Sequence, residues 1–320
     1  MYVLAMDGGG TKTSAVICDE VGHVYAKVNT TRSNPTAMDI PYFEATLHAL
    51  LQNLLQQNPQ AFVAIESCFA GMAGVKELHA ESTVEHIIRQ YVQKKVPVLV
   101  ENDALIALYA GTLGKPGIIQ IAGTGAITMG YDQEKKFHRV GGWGYLFDDA
   151  GSGYDLGVQA LKAVFQNYDG RKPATQLTEA VLRHFAKDTV PQLISSIYND
   201  EHPRTNIAPL SKYVIEAVEQ GDAIALRIIE EACQSYYEAI KTCYAQMTWE
   251  DEQVPVILTG GVFSNEQHFI PTLQQLAEDD GLPLHFMKAL VEPIGGAVVG
   301  AFQQISVEIG QQFVDTFNKR

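Results

Sequence analysis

The chain has 320 residues, of which 46% are hydrophobic and 19% charged, a composition typical of a globular protein and, at this length, of two domains. Its 23 basic and 37 acidic residues give a net charge of −14, which argues against nucleic acid or an anionic membrane as a partner. No window approaches the roughly 20 apolar residues of a membrane span, and four scattered cysteines without a CxxC pair indicate a reduced, cytoplasmic compartment.

The first part of the chain alternates short strands with helices. We predict strands at Tyr2–Met6, Ser14–Asp19, Val24–Asn29, Phe62–Phe69 and Pro97–Val100, and helices at about 39–57, 77–92 and 104–109. Glycine-rich and Val-Gly-His turns between the first three strands indicate an antiparallel meander. The last strand leads into the sequence ENDA, which places Asp103 directly after it.

From Lys115 onward a similar order of elements begins again. We predict strands at Gly117–Ala122, Ala126–Tyr131, Phe137–Val140, Val254–Leu258 and Leu284–Met287, a helix-rich segment between the third and fourth, and a terminal helix from Gly295. The pattern predicts an α/β chain of two related lobes, residues 1–113 and 114–320, with a Gly- and Pro-rich hinge at 111–117. A last helix, about 309–320, can pack back on the N-terminal lobe.

The most unusual stretch is DGGGTKT, Asp7 to Thr13. A P-loop requires G-x-x-x-x-G-K-[ST], and a dinucleotide-binding turn requires a following helix, whereas here a second strand follows. What remains is a β-hairpin whose turn consists of small residues, and successive backbone N–H groups in such a turn form an anion-binding concavity. A plain hairpin with a glycine turn is the alternative, since hairpin glycines are common.

Two further glycine clusters favour the anion-binding interpretation. The sequence IAGTGAI repeats the strand, glycine turn and strand at the equivalent place of the second half. The sequence TGGVFSN follows the strand Val254–Leu258, and ligands of α/β sheets collect at the carboxyl ends of strands. Two such hairpins across a cleft could bind a polyphosphate, with the third cluster beside an adenosine.

These motifs resemble those of a known superfamily. DGGGTKT, AGTGA and TGGVFSN look like the two phosphate motifs and the adenosine motif of sugar kinases, heat-shock proteins and actin. GGWG at 141–144 and the following DDAGSGYDLG are similar to the N-acetylglucosamine kinase branch, which shares its fold with the BadF/BadG-type ATPases. The resemblance spans residues 3 to about 302. It implies a duplicated ribonuclease H-like (actin/hexokinase-like) fold with an inter-lobe cleft, the use of ATP and Mg²⁺, and often a homodimer.

The resemblance also implies the nucleotide site. Its residues are Gly9, Gly10, Thr11 and Lys12 in the first turn, Gly123, Thr124 and Gly125 in the second, Gly260, Gly261 and Asn265 in the adenosine motif, and Ala208 in the sequence IAPL. Asp7, a carboxylate at a strand end, is suited to hold hydrated Mg²⁺. Lys12 either contacts phosphate or only faces solvent.

Asp103 is the candidate general base. From spacing alone, Asn102 or Asp103 is equally well explained as the N-cap of the following helix, where Asn and Asp are favoured. The resemblance places the catalytic aspartate of the family on Asp103, which would act on the C6 hydroxyl of an amino sugar. Both roles can hold for neighbouring residues.

The resemblance implies that the sugar also contacts Asn34, Gly142, Trp143, Gly144 and Asp149. The alternative for Asn34 is a surface Asn-Pro turn, and for GGWG a buried tryptophan in a tight turn. Kinases of this branch usually have GDEGS where this chain has Asp148, Asp149, Ala150, Gly151 and Ser152. Asp149 therefore matches the sugar-binding aspartate, whereas we interpret Asp148 as an acid favourable at the N-terminus of a helix.

The leading hypothesis is an ATP-dependent 6-kinase of N-acetylglucosamine, with N-acetylmuramic acid and glucosamine as alternative substrates. A different class with this fold comprises activator ATPases that carry a [4Fe–4S] cluster between subunits, which requires paired thiolates. The four cysteines here lie in apolar strand or helix patterns instead. A catalytically silent sugar-sensing relative is the third hypothesis, although Asp7 and Asp103 are both present.

Overall fold

A computed structural model of the chain describes residues 1–10, 12–76, 78–250 and 253–319. The chain divides into two compact units, one formed by residues 1–115 together with 289–320 and the other by residues 116–288. Each unit contains one five-stranded sheet. Within the described residues, no helix combines the length and the apolar character that crossing a membrane requires.

The strands are β1 (Tyr2–Gly8), β2 (Lys12–Asp19), β3 (Val24–Thr31), β4 (Ile65–Met72), β5 (Val98–Glu101), β6 (Gly117–Ala122), β7 (Ala126–Tyr131), β8 (Phe137–Val140), β9 (Val254–Thr259) and β10 (Leu284–Lys288). The α-helices are α1 (Ile40–Gln57), α2 (Pro59–Val63), α3 (Glu81–Arg89), α4 (Asp103–Thr112), α5 (Gly153–Tyr168), α6 (Leu177–His184), α7 (Gln192–Tyr198), α8 (Pro203–Ile207), α9 (Leu210–Glu219), α10 (Ala223–Ala245), α11 (Ile270–Asp279), α12 (Pro293–Gln303) and α13 (Gln311–Phe317). The described residues also form 3₁₀ helices at Pro35–Ala37 and Gly261–His268.

The two sheets have the same topology. The strand order is β3-β2-β1-β4-β5 in the first unit and, from the opposite edge of the sheet, β8-β7-β6-β9-β10 in the second. Counted within each unit, both orders are third, second, first, fourth and fifth. In both, the first three strands form the antiparallel meander and the last two run parallel to the first. The predicted α/β fold of two related halves is confirmed.

The turn after the second strand is also duplicated. In the first unit the Asp19 carboxylate accepts a hydrogen bond from the backbone N–H of His23 at 2.8 Å. In the second unit the Asp132 carboxylate accepts from the backbone N–H of Lys136 at 2.9 Å. The backbone N–H of Asp19 also donates to the carbonyl of His23, and that of Asp132 donates to the carbonyl of Lys136. The same side-chain type therefore closes the same turn twice.

Predicted and observed helices differ in their ends. The helix expected at about 77–92 spans Glu81–Arg89. Within the predicted helix-rich segment, α8 and α9 are separated at Pro209, because proline lacks the N–H that a continuous helix needs. Ala208 lies at this break, where its carbonyl accepts from the backbone N–H of Ser211.

The C-terminal segment packs into the first unit. Helix α12 is buried from Ile294 to Phe302, and a Cβ atom at Gly296 would lie 1.8 Å from the carbonyl oxygen of Ile106 in α4. Helix α13 lies against the β2–β3 turn, where a Cβ atom at Gly22 would lie 2.8 Å from the carbonyl oxygen of Phe313. The sequence-based division at residue 113 assigned residues 289–308 to the second lobe and differs there from this grouping, because such close helix crossing by small residues leaves no periodic signal.

Candidate active site

The first glycine turn joins β1 to β2. Gly9 donates its N–H to the carbonyl of Lys12 at 2.9 Å, which closes the turn. A Cβ atom at Gly8 would lie 2.8 Å from the Ser33 hydroxyl, whereas one at Gly10 would have no neighbour within 4 Å. The side chain of Lys12 is exposed, and Thr11 lies outside the described residues. At Gly10 the turn is thus bare backbone that a ligand can approach closely.

Asp7 lies at the end of β1, beside this turn. The pKa of Asp7 is raised to about 6, mainly by burial and by the negative charge of Asp103. Lys12 lowers it, and the charge of Glu292 raises it more weakly. The charges of Asp7 and Asp103 therefore influence one another. Because a carboxylate in this setting is costly to keep ionised, it would be stabilised by a cation.

Asp103 is the first residue of α4, and the cap of that helix is Asn102. The Asn102 side chain accepts from the backbone N–H of Ala104 at 2.7 Å, in the N-cap geometry. Capping is thus the role of Asn102, and Asp103, which is half-buried, is the first residue of the helix. The general-base role of Asp103 stays a prediction.

Asn34 forms the Asn-Pro turn after β3. Its Oδ1 accepts from the backbone N–H of Thr36 at 2.9 Å and from the Thr36 hydroxyl at 2.7 Å. Gly74 packs so closely that a Cβ atom there would lie 2.2 Å from this oxygen. The turn that we considered as an alternative is therefore present. A sugar contact of Asn34 stays a prediction, and it would use the amide nitrogen.

The second glycine turn joins β6 to β7. Gly123 donates its N–H to the carbonyl of Gly125 at 2.9 Å, and its own carbonyl accepts from the N–H of Gly153 at 2.7 Å. The carbonyl of Thr124 accepts from the N–H of Tyr154 at 3.4 Å. A Cβ atom at Gly123 would have no neighbour within 4 Å. The start of α5 thus holds the turn from one side, and the backbone at Gly123 stays open.

The GGWG turn presents Trp143 to solvent, with 65% of its surface exposed. The expectation of a buried tryptophan, our alternative, is therefore wrong. Gly142 has φ +74° and packs on Ile127, so the turn itself is tight. The Arg139 guanidinium lies 4.2 Å from the centre of the Trp143 ring and donates to the carbonyls of Gly141 and Gly142 at 3.1 and 2.6 Å.

Two aspartates accept hydrogen bonds from the backbone of the GGWG turn. Asp148 accepts from the backbone N–H of Trp143 at 2.9 Å, so our interpretation of Asp148 as a helix N-terminal acid is wrong. The acid in the first turn of α5 is Asp155, behind the N-cap Ser152. Asp149 is 5% exposed, has φ +59° and accepts from the N–H of Gly144 at 3.3 Å.

The adenosine motif follows β9. Gly260 has φ +107° and ψ 167°, and a Cβ atom there would lie 2.3 Å from the carbonyl oxygen of Ala122 at the end of β6. At Gly261 a Cβ atom would have no neighbour within 4 Å. The Asn265 amide donates to the carboxylate of Glu219 at 2.5 Å.

The structure brings the predicted residues of each unit together in part. Gly153 lies next to both Gly123 and the carbonyl of Ala208, and Gly260 is adjacent to the strand that leads to Gly123. Asp7 and Asp103 interact at the first turn. Sequence reasoning missed Arg139, Arg204 and Glu219. Arg139 could have been found, since it lies two residues before GGWG.

Comparison with known proteins gives a consistent result. Residues 4–301 match the profile of the BadF/BadG/BcrA/BcrD ATPase family. An N-acetylmuramic acid/N-acetylglucosamine kinase of Clostridium acetobutylicum is 32% identical over 266 residues, which are 82% of this chain and 86% of that protein. An N-acetyl-D-glucosamine kinase of Dictyostelium discoideum is 30% identical over 271 residues, 81% and 84% of the two chains.

Among solved structures, a candidate N-acetylglucosamine kinase of Chromobacterium violaceum superposes with a TM-score of 0.67 at 23% identity. The match covers 93% of this chain and 98% of that one. At this identity the likeness concerns the fold, and it agrees with the two duplicated sheets.

Proposed function

The chain belongs to the BadF/BadG/BcrA/BcrD ATPase family, and on that basis we propose that it is an ATP-dependent kinase of the 6-hydroxyl of N-acetylglucosamine. The observation that supports this most strongly is the pair of glycine turns, open at Gly10 and Gly123, at the same place of two duplicated sheets. The first turn has Asp7 and Asp103 beside it, and the second has Asp149. Named relatives that act on amino sugars support the choice of substrate.

Asp103 is the general base in this proposal. Its half-buried carboxylate accepts the proton of the 6-hydroxyl as the hydroxyl oxygen attacks the γ-phosphorus of ATP. Because transition states of phosphoryl transfer are loose, orienting the hydroxyl contributes as much as removing its proton. Asn34, the GGWG turn and Asp149 bind the remaining hydroxyls and the acetamido group.

The phosphates of ATP bind to the two glycine turns and the adenosine to Gly260, Gly261, Asn265 and Ala208. Asp7 would hold Mg²⁺ through water, and the fit rests on its carboxylate at the end of β1 beside the first glycine turn, where a cation would offset the cost of its buried charge. The ion would neutralise phosphate charge when bound. Within the described residues no cluster of three or more His, Cys, Asp or Glu side chains forms a metal site, so phosphate and water would complete its coordination.

The activator ATPase hypothesis is disfavoured by the cysteines. All four are buried, and burial raises the pKa of the Cys233 and Cys243 thiols to about 12. A cluster between subunits needs thiolates at the protein surface. Buried cysteines that form no disulfide within the described residues also support the cytoplasm as the location. A homodimer, frequent in the family, completes the proposal and is tested by light scattering.

The experiment is a panel of N-acetylglucosamine, N-acetylmuramic acid, glucosamine and glucose with ATP and Mg²⁺. ADP release and sugar phosphate are measured together, and NMR locates the phosphate on the sugar. We expect equal amounts of both products with N-acetylglucosamine. Release of ADP without a phosphorylated sugar would refute the kinase. A preference for N-acetylmuramic acid, which the Clostridium relative makes worth testing, would change only the substrate.

A further inference from the structure

Arg204, in the short helix α8, places its guanidinium at the second glycine turn. A Cβ atom at Gly125 would lie 2.9 Å from Nη2 of Arg204 and 2.8 Å from Oδ2 of Asp149. The absence of a side chain at residue 125 is therefore what allows the arginine and the aspartate to meet over the turn. The guanidinium carbon also lies over the Tyr145 ring, 5.2 Å from its centre, within the range of a cation–π interaction.

The donors of this guanidinium are incompletely used. Nε of Arg204 is buried without a hydrogen-bond partner among the described residues. The distance from Nη2 to Oδ2 of Asp149 is 3.8 Å, whereas a charge-assisted hydrogen bond spans about 2.7–2.9 Å. Asp149 is meanwhile held by the N–H of Gly144. A purely structural ion pair would be expected to close this gap.

The charges around the turn explain why a cation is needed there. Asp149 lies directly over Gly125, and Asp148 lies at the adjoining GGWG turn. An anion bound at Gly123–Gly125 would approach these carboxylates and be repelled by them. A guanidinium at the same place compensates that repulsion and offers planar donors that match phosphate oxygens.

We propose that Arg204 binds the γ-phosphoryl group of ATP at the second turn and stabilises the charge that develops on it during transfer. The inference rests on the proposed function. In the step concerned, the bond between the γ-phosphorus and the β–γ bridging oxygen breaks and a bond from the sugar O6 to that phosphorus forms. The hydroxyl proton passes to Asp103, and ADP leaves with the electron pair of the broken bond. Arg204 donates hydrogen bonds to non-bridging oxygens throughout.

The test uses Arg204→Gln, which removes the charge, and Arg204→Lys, which keeps it without the planar donors. Arg171→Gln is the matched control, since Arg171 pairs with Asp169 on an exposed surface of the same unit. We measure kcat, the KM for ATP and for N-acetylglucosamine, the melting temperature, and binding of Mg·AMPPNP without sugar.

We expect Arg204→Gln to lower kcat/KM for ATP by roughly 10²-fold or more, in line with the loss of one preorganised donor. Arg204→Lys should recover part of it, and the KM for the sugar should stay within about twofold of wild type. Wild-type kcat/KM for ATP in Arg204→Gln would overturn the inference. A change only in the KM for the sugar, or a loss of activity only with N-acetylmuramic acid as the substrate, would also overturn it. If the wild-type protein binds no Mg·AMPPNP, the proposed function fails as well.

Discussion

Replacing Gly260 by alanine tests whether the adenosine motif is built on backbone that only glycine can adopt. Its φ of +107° and ψ of 167° lie in a region that is essentially restricted to glycine, and strain there costs about 1–3 kcal/mol. The new Cβ atom would also lie 2.3 Å from the Ala122 carbonyl oxygen and 2.6 Å from its carbonyl carbon. These are backbone atoms, so relief requires β6 or β9 to shift, at about 1–3 kcal/mol for overpacking.

Together the two effects predict a loss of about 4 kcal/mol in the free energy of unfolding. For a unit of this size, that loss lowers the melting temperature by about 8–16 °C. Circular dichroism measures the transition, and calorimetry with AMPPNP measures nucleotide binding. Gly261→Ala is the control, since its Cβ atom would meet nothing within 4 Å.

Gly261→Ala should melt within about 2 °C of wild type. It should nevertheless weaken the binding of AMPPNP if the nucleotide approaches this open backbone. A melting temperature of Gly260→Ala equal to that of wild type would refute this account, as would an equal loss of stability in Gly261→Ala.

Three other substitutions test separate parts of the molecule. Asp103→Asn should lower kcat by roughly 10²-fold or more with AMPPNP affinity nearly intact, because a general base is lost. Arg139→Ala should raise the sugar KM about tenfold, since two hydrogen bonds and the ring contact that orient GGWG are removed. Asp222→Asn should lower the free energy of unfolding at pH 7 by about 2 kcal/mol. Burial alone would raise the pKa of Asp222, but hydrogen bonds from Ala225, Gln176 and Thr175 hold it below 3.8.

The sign of the Asp222 effect follows from that depressed pKa. The carboxylate contributes stability above its unfolded pKa of about 3.9 and loses it as pH falls through the lower folded value. The difference between wild type and Asp222→Asn should therefore shrink in urea titrations below about pH 4. A constant difference from pH 7 to pH 3 would contradict this. Wild-type turnover in Asp103→Asn, or an unchanged sugar KM in Arg139→Ala, would contradict the other two.

The parts that sequence predicts well are those encoded by local pattern. The meander follows from apolar strands separated by glycine turns, and the second copy repeats that pattern at Gly117–Tyr131. Asp103 could be placed after a strand because ENDA follows an apolar run directly. Such features need only neighbours along the chain.

The parts that sequence missed depend on contacts between distant residues. Arg204 contacts the turn at Gly125, 79 positions earlier in the chain (204 minus 125). No sequence pattern around either residue indicates this contact. Asp148 looked like a helix acid because it precedes α5, but the positive φ values in the GGWG turn direct the Trp143 N–H toward it. Backbone conformation of this kind is decided by packing, which periodicity does not record.

The burial of α12 against α4, β1 and β4 has a consequence for synthesis on the ribosome. The first unit lacks α12 until residues 116–288 have been translated, so the sheet that is made first is covered by this helix last. At 5–20 residues per second, its apolar face waits roughly 10–40 s after residue 115 emerges. A nascent chain that stops between residues 116 and 292 therefore lacks α12. The core of its first unit is uncovered, and chaperones would recognise it.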